Sequence, residues 1–172
     1  MTHDQYGALA LVAATVTAGL SAGLFVAYAN SVMPGLARGD DRTLVVAMQN
    51  INVAILNGWF AASFAGAPLL TALAAVLHAT GPTRPALPWI GAALLLYALA
   101  LAITFAGNIP LNDRLAAAGE PDRIGDLAAV RAAFEAAWVR LNLLRAVTHV
   151  ASFGLLTWAL VLHGRLTAAA GT

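Results

Sequence analysis

The chain has 172 residues, of which 60% are hydrophobic and only 10% are charged, and its formal net charge is +1. Soluble domains carry about 25% charged residues, so this chain has too few charges to cover a soluble surface. Nine arginines without a lysine give no nucleic-acid-binding patch, and the absence of cysteine excludes thiolate metal sites and thiol catalysis. The composition therefore predicts one integral membrane domain.

Four apolar runs predict four membrane-spanning helices, at residues 7–29, 51–78, 89–107 and 143–163. Each is close to or above the roughly 20 residues that a helix needs to cross the hydrocarbon. In the first run Gly19 and Gly23 lie four residues apart, which allows close approach of a helix from the same chain or from a second copy. Pro68 is expected to kink the second helix. The predicted fold is all-α, an antiparallel four-helix membrane bundle with one or two amphipathic interfacial helices, formed by residues 1–172.

A polar stretch, Asn-Ile-Pro-Leu-Asn-Asp at residues 108–113, follows the third apolar run. Pro110 lacks a backbone N–H, and Asn108 and Asn112 can bond the free backbone groups, so the third helix is predicted to stop here. In the same way Asn30, Pro34 and Gly35 are predicted to end the first helix.

The interval before the fourth run contains a predicted helix start, Glu-Pro-Asp at residues 120–122. From Ile124 to Leu141 apolar residues then recur every three or four positions, which indicates an amphipathic helix. This helix either lies on the membrane surface or leads into the fourth span.

Arginine placement predicts the orientation, because cytoplasmic connections are rich in basic residues. Four spans put both termini on one side, with Arg84 and Arg165. The other side carries Arg38, Arg42, Arg114, Arg123, Arg131, Arg140 and Arg145. We therefore expect the two long polar connections in the cytoplasm, with the chain in a bacterial-type inner membrane.

Polar side chains from three segments are predicted to meet at one end of the bundle. Trp138, Asn142, Arg145 and His149 are spaced by three and four residues, so they share one helical face. The predicted topology places five further polar residues at the same end of the bundle: Gln49, Asn52, Asn108, Asn112 and Asp113. Ionisable groups at membrane depth usually face a functional site. The alternative is that the arginine reaches the interface and the asparagines only cap or link helices.

Three histidines, His3, His78 and His163, are expected at the opposite end. Either they form a metal site or, the commoner arrangement, they are interfacial residues, and we predict no metal. His149 is the one histidine predicted on the asparagine side, so a haem held by two histidines of one chain is not expected.

Three polar elements carry a resemblance to a known family. They are Met48-Gln49-Asn50-Ile51-Asn52, then Asn108-Ile109-Pro110-Leu111-Asn112, and the spacing of Trp138, Asn142 and Arg145. Over nearly its whole length the chain resembles the anthrone oxygenase family of small four-span membrane proteins. The resemblance implies oxidation of a polycyclic anthrone to its quinone by dioxygen, without a metal or organic cofactor.

The residues can be matched to that implied chemistry. An enolate formed from the anthrone would need fixed hydrogen-bond donors, for which Arg145, Asn142, Asn108 and Asn112 are candidates. The candidate base is His149 or Asp113. Candidates for substrate contact are Trp138, Gln49, Asn52, Trp59 and Phe60.

Two other functions remain open from the sequence. The same pocket would suit a non-catalytic protein that binds or transports a lipid or hydrophobic metabolite, and the polar residues would also suit a structural membrane subunit. The expected partners are membrane lipids and a small lipophilic aromatic substrate, with a homo-oligomer as an open option and no nucleic acid.

Overall fold

The computed structural model describes residues 2–170, and every regular element in that range is helical. The α-helices are α1 His3–Ala27, α2 Met33–Leu36, α3 Asp41–Ala54, α4 Gly58–Phe64, α5 Gly66–Leu77, α6 Leu87–Ile103, α7 Ile109–Ala117 and α8 Leu127–Ala170. π-Helical segments, Tyr28–Val32 and Thr104–Asn108, join α1 to α2 and α6 to α7. Short 3-10 turns occupy Arg84–Ala86 and Pro121–Arg123.

Four stretches are long and apolar enough to cross a membrane: His3–Leu36, Gly58–Leu77, Arg84–Ala117 and Leu127–Ala170. The chain is therefore an all-α membrane bundle, and the predicted fold class is confirmed. The first, third and fourth stretches extend beyond the predicted spans at both ends.

The second stretch begins later than predicted, because residues 51–54 belong to α3. Asn57 accounts for the boundary between α3 and α4. Its Nδ2 donates to the Ala54 carbonyl at 2.9 Å, and its Oδ1 accepts the Phe60 amide at 3.0 Å. One side chain thus ends one helix and caps the next.

The helix stop predicted at residues 108–113 is wrong, whereas the first helix ends at Leu36, one residue after the stop predicted at Asn30–Gly35. At each place the chain passes through a π-helical segment and continues as a helix, to Leu36 and to Ala117. Pro34 and Pro110 are each the second residue of the following helix, where no N–H is required. A π-helical turn contains one more residue than an α-helical turn. With this extra residue before each proline, the helix can continue past the pyrrolidine ring.

Near Pro68, where a kink is predicted, the regular helix is interrupted at one residue, Ala65, between α4 and α5. Proline cannot donate to the carbonyl four residues earlier, which is that of Phe64. The hydroxyl of Tyr97 on α6 donates to this carbonyl instead, at 2.9 Å. A side chain from a neighbouring span therefore satisfies the group that the proline leaves free, as membrane helices require.

The predicted amphipathic segment leads into the fourth span, since both lie in one helix of 44 residues. The helix start predicted at residues 120–122 is only a 3-10 turn. α8 begins after Asp126, whose Oδ1 accepts the amide of Ala129 at 2.9 Å.

Arg131 ties the N-terminal part of α8 to the connection between α2 and α3. Its Nη1 donates to the Gly39 carbonyl at 3.0 Å and to Asp41 at 3.1 Å, and its Nη2 donates to the Ala37 carbonyl at 3.1 Å. Its Nε donates to Glu135 at 2.6 Å. These bonds hold α3 against the end of the bundle where the polar residues were predicted to meet.

The first of the two glycines in α1 packs within the chain. A Cβ atom at Gly19 would lie 3.0 Å from the ring of Phe153 on α8, whereas Gly23 has open space around it. Close approach at Gly19 therefore joins α1 to α8 inside one molecule.

We predict that Gly19→Leu lowers the apparent unfolding temperature of detergent-solubilised protein, because the added side chain collides with Phe153. Overpacking of this kind costs about 1–3 kcal/mol. Gly23→Leu is the matched control and should leave the unfolding temperature unchanged. Equal destabilisation by both variants would contradict this packing assignment.

Candidate functional site

The four residues predicted to share a face of α8 form one buried row. Trp138 is 2% exposed, Asn142 1%, Arg145 6% and His149 0%. Because all four lie on a single helix, their mutual spacing is set by the helix repeat, and the remaining site residues are brought to this row by α1, α4, α6 and α7.

Arg145 carries a buried positive charge with no acidic partner. Its Nε and Nη2 donate to Asn142 Oδ1 at 3.2 and 3.1 Å, and its Cζ lies 4.2 Å from the ring centroid of Phe25 and 5.1 Å from that of Trp138. Within residues 2–170 the arginines that form ion pairs are Arg42 and Arg131. An amide oxygen and two aromatic faces thus take the place of a carboxylate.

Asn142 orients Arg145 because it is itself fixed to another span. Its Nδ2 donates to the backbone carbonyl of Phe25 at 3.1 Å, so its Oδ1 is turned toward the guanidinium. This arrangement uses Nε and one Nη2 donor of Arg145. Guanidinium has five N–H donors, so three donors, on Nη1 and Nη2, are left without a hydrogen bond among the described residues.

His149 lies in an aromatic box. Its ring stacks on Phe25 with centroids 4.8 Å apart and planes inclined by 16°, and it meets Tyr97 edge-on at 4.5 Å and Phe64 at 6.2 Å. Neither ring nitrogen has a hydrogen-bond partner in the described part of the chain. Leaving a buried polar group unpaired costs about 1–3 kcal/mol, so packing alone is a poor reason for a histidine here.

Asn108 and Asn112 both contact Trp138. The indole Nε1 donates to Asn112 Oδ1 at 2.8 Å, and Asn108 Nδ2 donates to the Trp138 backbone carbonyl at 3.3 Å. The second half of the Asn108 amide, Oδ1, is buried without a partner among the described residues. The α6–α7 junction therefore positions the indole and presents one free amide oxygen.

Gln49 and Asn52 share a face of α3 but differ in their contacts. Gln49 Nε2 donates to the carbonyls of Leu115 and Gly119 at 2.9 and 3.0 Å, which links α3 to the end of α7. The Nδ2 of Asn52 is buried and unpaired among the described residues. Gln49 thus has a structural partner, whereas Asn52 keeps a free donor.

Three predicted site residues lie outside this buried cluster or at its edge. Asp113 is exposed, and Trp59 is 89% exposed. Phe60 stacks on Phe64 with ring centroids 4.8 Å apart, so it reaches His149 only through that ring.

The unpaired buried side-chain atoms of residues 2–170 all belong to predicted site residues. They are Asn52 Nδ2, Asn108 Oδ1 and both ring nitrogens of His149. Buried polar groups in native proteins are nearly always hydrogen-bonded. Each of these atoms therefore lacks the hydrogen-bond partner that a ligand or a water molecule could supply.

Four aromatic residues of the site were missed from the sequence. Phe25 contacts Arg145 and His149, and Phe64 and Tyr97 complete the box around the imidazole. The ring of Tyr28 lies 5.6 Å from that of Trp138. All four lie in apolar runs, where only the packing of spans α1, α4 and α6 against α8 distinguishes them from lipid-facing residues.

The histidines at the opposite end form a pair. His78 Nδ1 lies 2.7 Å from the Ala74 carbonyl, so it carries the hydrogen, and His78 Nε2 accepts from His163 Nδ1 at 2.9 Å. His3 is exposed. The described residues contain no group of three or more potential metal ligands.

We predict that His149→Phe raises the apparent unfolding temperature, because a phenyl ring suits the aromatic box and removes two unpaired nitrogens. The expected gain corresponds to about 1 kcal/mol. His78→Phe is the matched control, since both nitrogens of this equally buried histidine are hydrogen-bonded. It should lower the unfolding temperature. A destabilised His149→Phe protein would mean that the imidazole has a structural partner.

A sequence model of the anthrone oxygenase family matches residues 57–155, which is 99 of the 172 residues. The match includes α4 to α7 and the part of α8 that carries the buried row. A search of the curated proteins and a search of the solved structures found no match. Since the family match covers more than half of its length, the chain belongs to the anthrone oxygenase family.

Proposed function

We propose that the protein is a membrane oxidoreductase that oxidises a lipophilic, polycyclic, anthrone-like aromatic with dioxygen. The observation that carries this proposal is the buried, acid-free guanidinium of Arg145 beside the unpaired imidazole of His149. A fixed cation in a site without water stabilises a negative charge that develops on the ligand. That charge develops when the ligand loses a proton, and a neutral imidazole can accept this proton.

The chemistry balances with these two groups. His149 removes one hydrogen of the anthrone methylene as a proton, and the free Arg145 donors stabilise the enolate oxygen. The enolate passes one electron to dioxygen, and the resulting radical and superoxide combine through a new C–O bond. The histidinium protonates the peroxide. His149, neutral again, removes the second methylene hydrogen as a proton. The O–O bond breaks as the new C=O bond forms, and the leaving hydroxide takes up this proton, which gives the ketone and one water.

The surrounding residues support binding of a flat aromatic ligand. The rings of Phe25 and Trp138 flank the guanidinium of Arg145, so the charge lies in aromatic surroundings that suit a polycyclic ligand. The free amide atoms of Asn108 and Asn52 are further candidates for bonds to ring oxygens. Asp113 is exposed, so we assign the base to His149 alone.

The cellular setting follows from the same sequence arguments. We place the protein in a bacterial-type inner membrane with its long polar connections in the cytoplasm, on the basis of its arginine distribution. Lipids are its surroundings, and the open space at Gly23 is the place where a second copy would approach.

The first test is oxygen uptake by purified protein with emodin anthrone, after an absorption spectrum has been recorded. A spectrum without visible bands, with uptake above that of heat-inactivated protein, is the expected result. A visible band would instead reveal a bound cofactor. Binding of the anthrone without uptake would favour a carrier of hydrophobic metabolites.

We predict that Arg145→Gln lowers kcat/KM for this reaction by at least about 100-fold, the usual effect of losing a donor to a developing oxyanion. Arg165→Gln is the control, because Arg165 stacks on Trp158 near the other end of α8. It should keep full activity. An active Arg145→Gln protein would refute the role assigned to the guanidinium.

A further inference from the structure

The short helix α4 is set apart from the rest of its span. It has seven residues, and it is bounded by the break at residues 55–57 and by the interruption at Ala65. Phe64 is its one buried residue. The span it begins, Gly58–Leu77, is the least buried of the four candidate spans. Displacing α4 would therefore cost less packing than displacing a helix of the other spans.

The two faces of α4 connect the bilayer to the site. Phe64 faces inward, where its ring lies 6.0 Å from that of Phe25 and 6.2 Å from that of His149. Trp59 is 89% exposed on the other face, next to Leu56 at 78%. Because this segment begins a membrane span, we expect these exposed apolar side chains to face lipid rather than water.

A side-chain hydrogen bond from a neighbouring span helps to hold the C-terminal end of α4 in place. Pro68 removes the helical partner of the Phe64 carbonyl, and the Tyr97 hydroxyl replaces it at 2.9 Å. The same hydroxyl lies 3.1 Å from Ser21 Oγ on α1, and the Tyr97 ring touches His149. A continuous helix would have fixed this carbonyl with a backbone bond, whereas a side-chain bond can open without unwinding a helix.

We propose that α4 is a lateral gate, through which an aromatic ligand dissolved in the bilayer reaches Arg145 and His149. The Tyr97–Phe64 bond is its latch, and the Phe60–Phe64 ring pair lines the opening. The gate leads to the proposed catalytic site. This inference rests on the proposed function only for the identity of the ligand. It implies that the substrate arrives from lipid and never crosses the aqueous phase.

The test is the reactivity of single cysteines, since the native chain contains none. Ala146→Cys reports on the gate, because Ala146 packs in one cluster with Phe25 and Phe64 and is 3% exposed. Ala159→Cys is the matched control, because Ala159 lies on the same helix and is 0% exposed but packs in a different hydrophobic cluster. Protein in liposomes is treated with N-phenylmaleimide, which partitions into lipid, or with a charged methanethiosulfonate.

We expect N-phenylmaleimide to label Ala146→Cys faster than Ala159→Cys, and the charged reagent to label neither. Adding Tyr97→Phe should accelerate labelling at position 146 about fivefold, the factor for losing one hydrogen bond of about 1 kcal/mol. Adding Pro68→Ala should slow it, because an alanine at this position restores a backbone N–H that can donate to the Phe64 carbonyl. Ser21→Ala, which keeps the latch, should change nothing.

Equal labelling of the two cysteines, or equal acceleration of both by Tyr97→Phe, would overturn the gate in favour of general loosening. Rapid labelling of position 146 by the charged reagent would overturn the lipid route in favour of an aqueous one. No substrate is present in this assay. Its outcome is therefore independent of the oxygen-uptake result, and either proposal can fail alone.

Discussion

The hydrogen-bonded contact between Asn142 and Arg145 is the interaction on which the site depends. The charge of a guanidinium inside an apolar bundle must be stabilised by polar groups of the protein. A carboxylate would stabilise this charge but would also neutralise it. Asn142 supplies the oxygen without the charge, and the Phe25 carbonyl fixes that oxygen from a second span. The guanidinium of Arg145 is thereby held in one orientation while its positive charge is not neutralised, so it can attract an anion.

Prolines shape the bundle around this contact without ending its helices. Before Pro34 and Pro110 the chain widens into π-helical turns, and each turn contains a residue that contacts Trp138: Tyr28 in the first and Asn108 in the second. At Pro68 the helix is interrupted instead, and Tyr97 supplies the missing bond. Irregular backbone in a membrane costs free energy, because it leaves backbone hydrogen bonds unsatisfied. Its occurrence in three spans around one site is consistent with a functional role.

The sequence was sufficient for the features that depend on one helix at a time. Trp138, Asn142, Arg145 and His149 were predictable as a row because helical spacing alone puts them on one face. Phe25, Phe64 and Tyr97 were not, since they occur in uniformly apolar runs and owe their place to packing between spans. The error at Pro110 arose from a rule for helix interiors applied to a residue in the first turn of a helix. Asp113 differs in another way: it is next to Asn112 in the chain, but the helix turns it outward.

The length of α8 has a consequence for how the site is held in the membrane. Its 44 residues extend about 66 Å at 1.5 Å per residue, roughly twice the 30 Å of a hydrocarbon core. The row from Trp138 to His149 occupies about 16 Å of this rod. A change in bilayer thickness or helix tilt is therefore taken up where the rod projects into water or the headgroups. The distances along this row stay constant, so one geometry serves membranes of different composition.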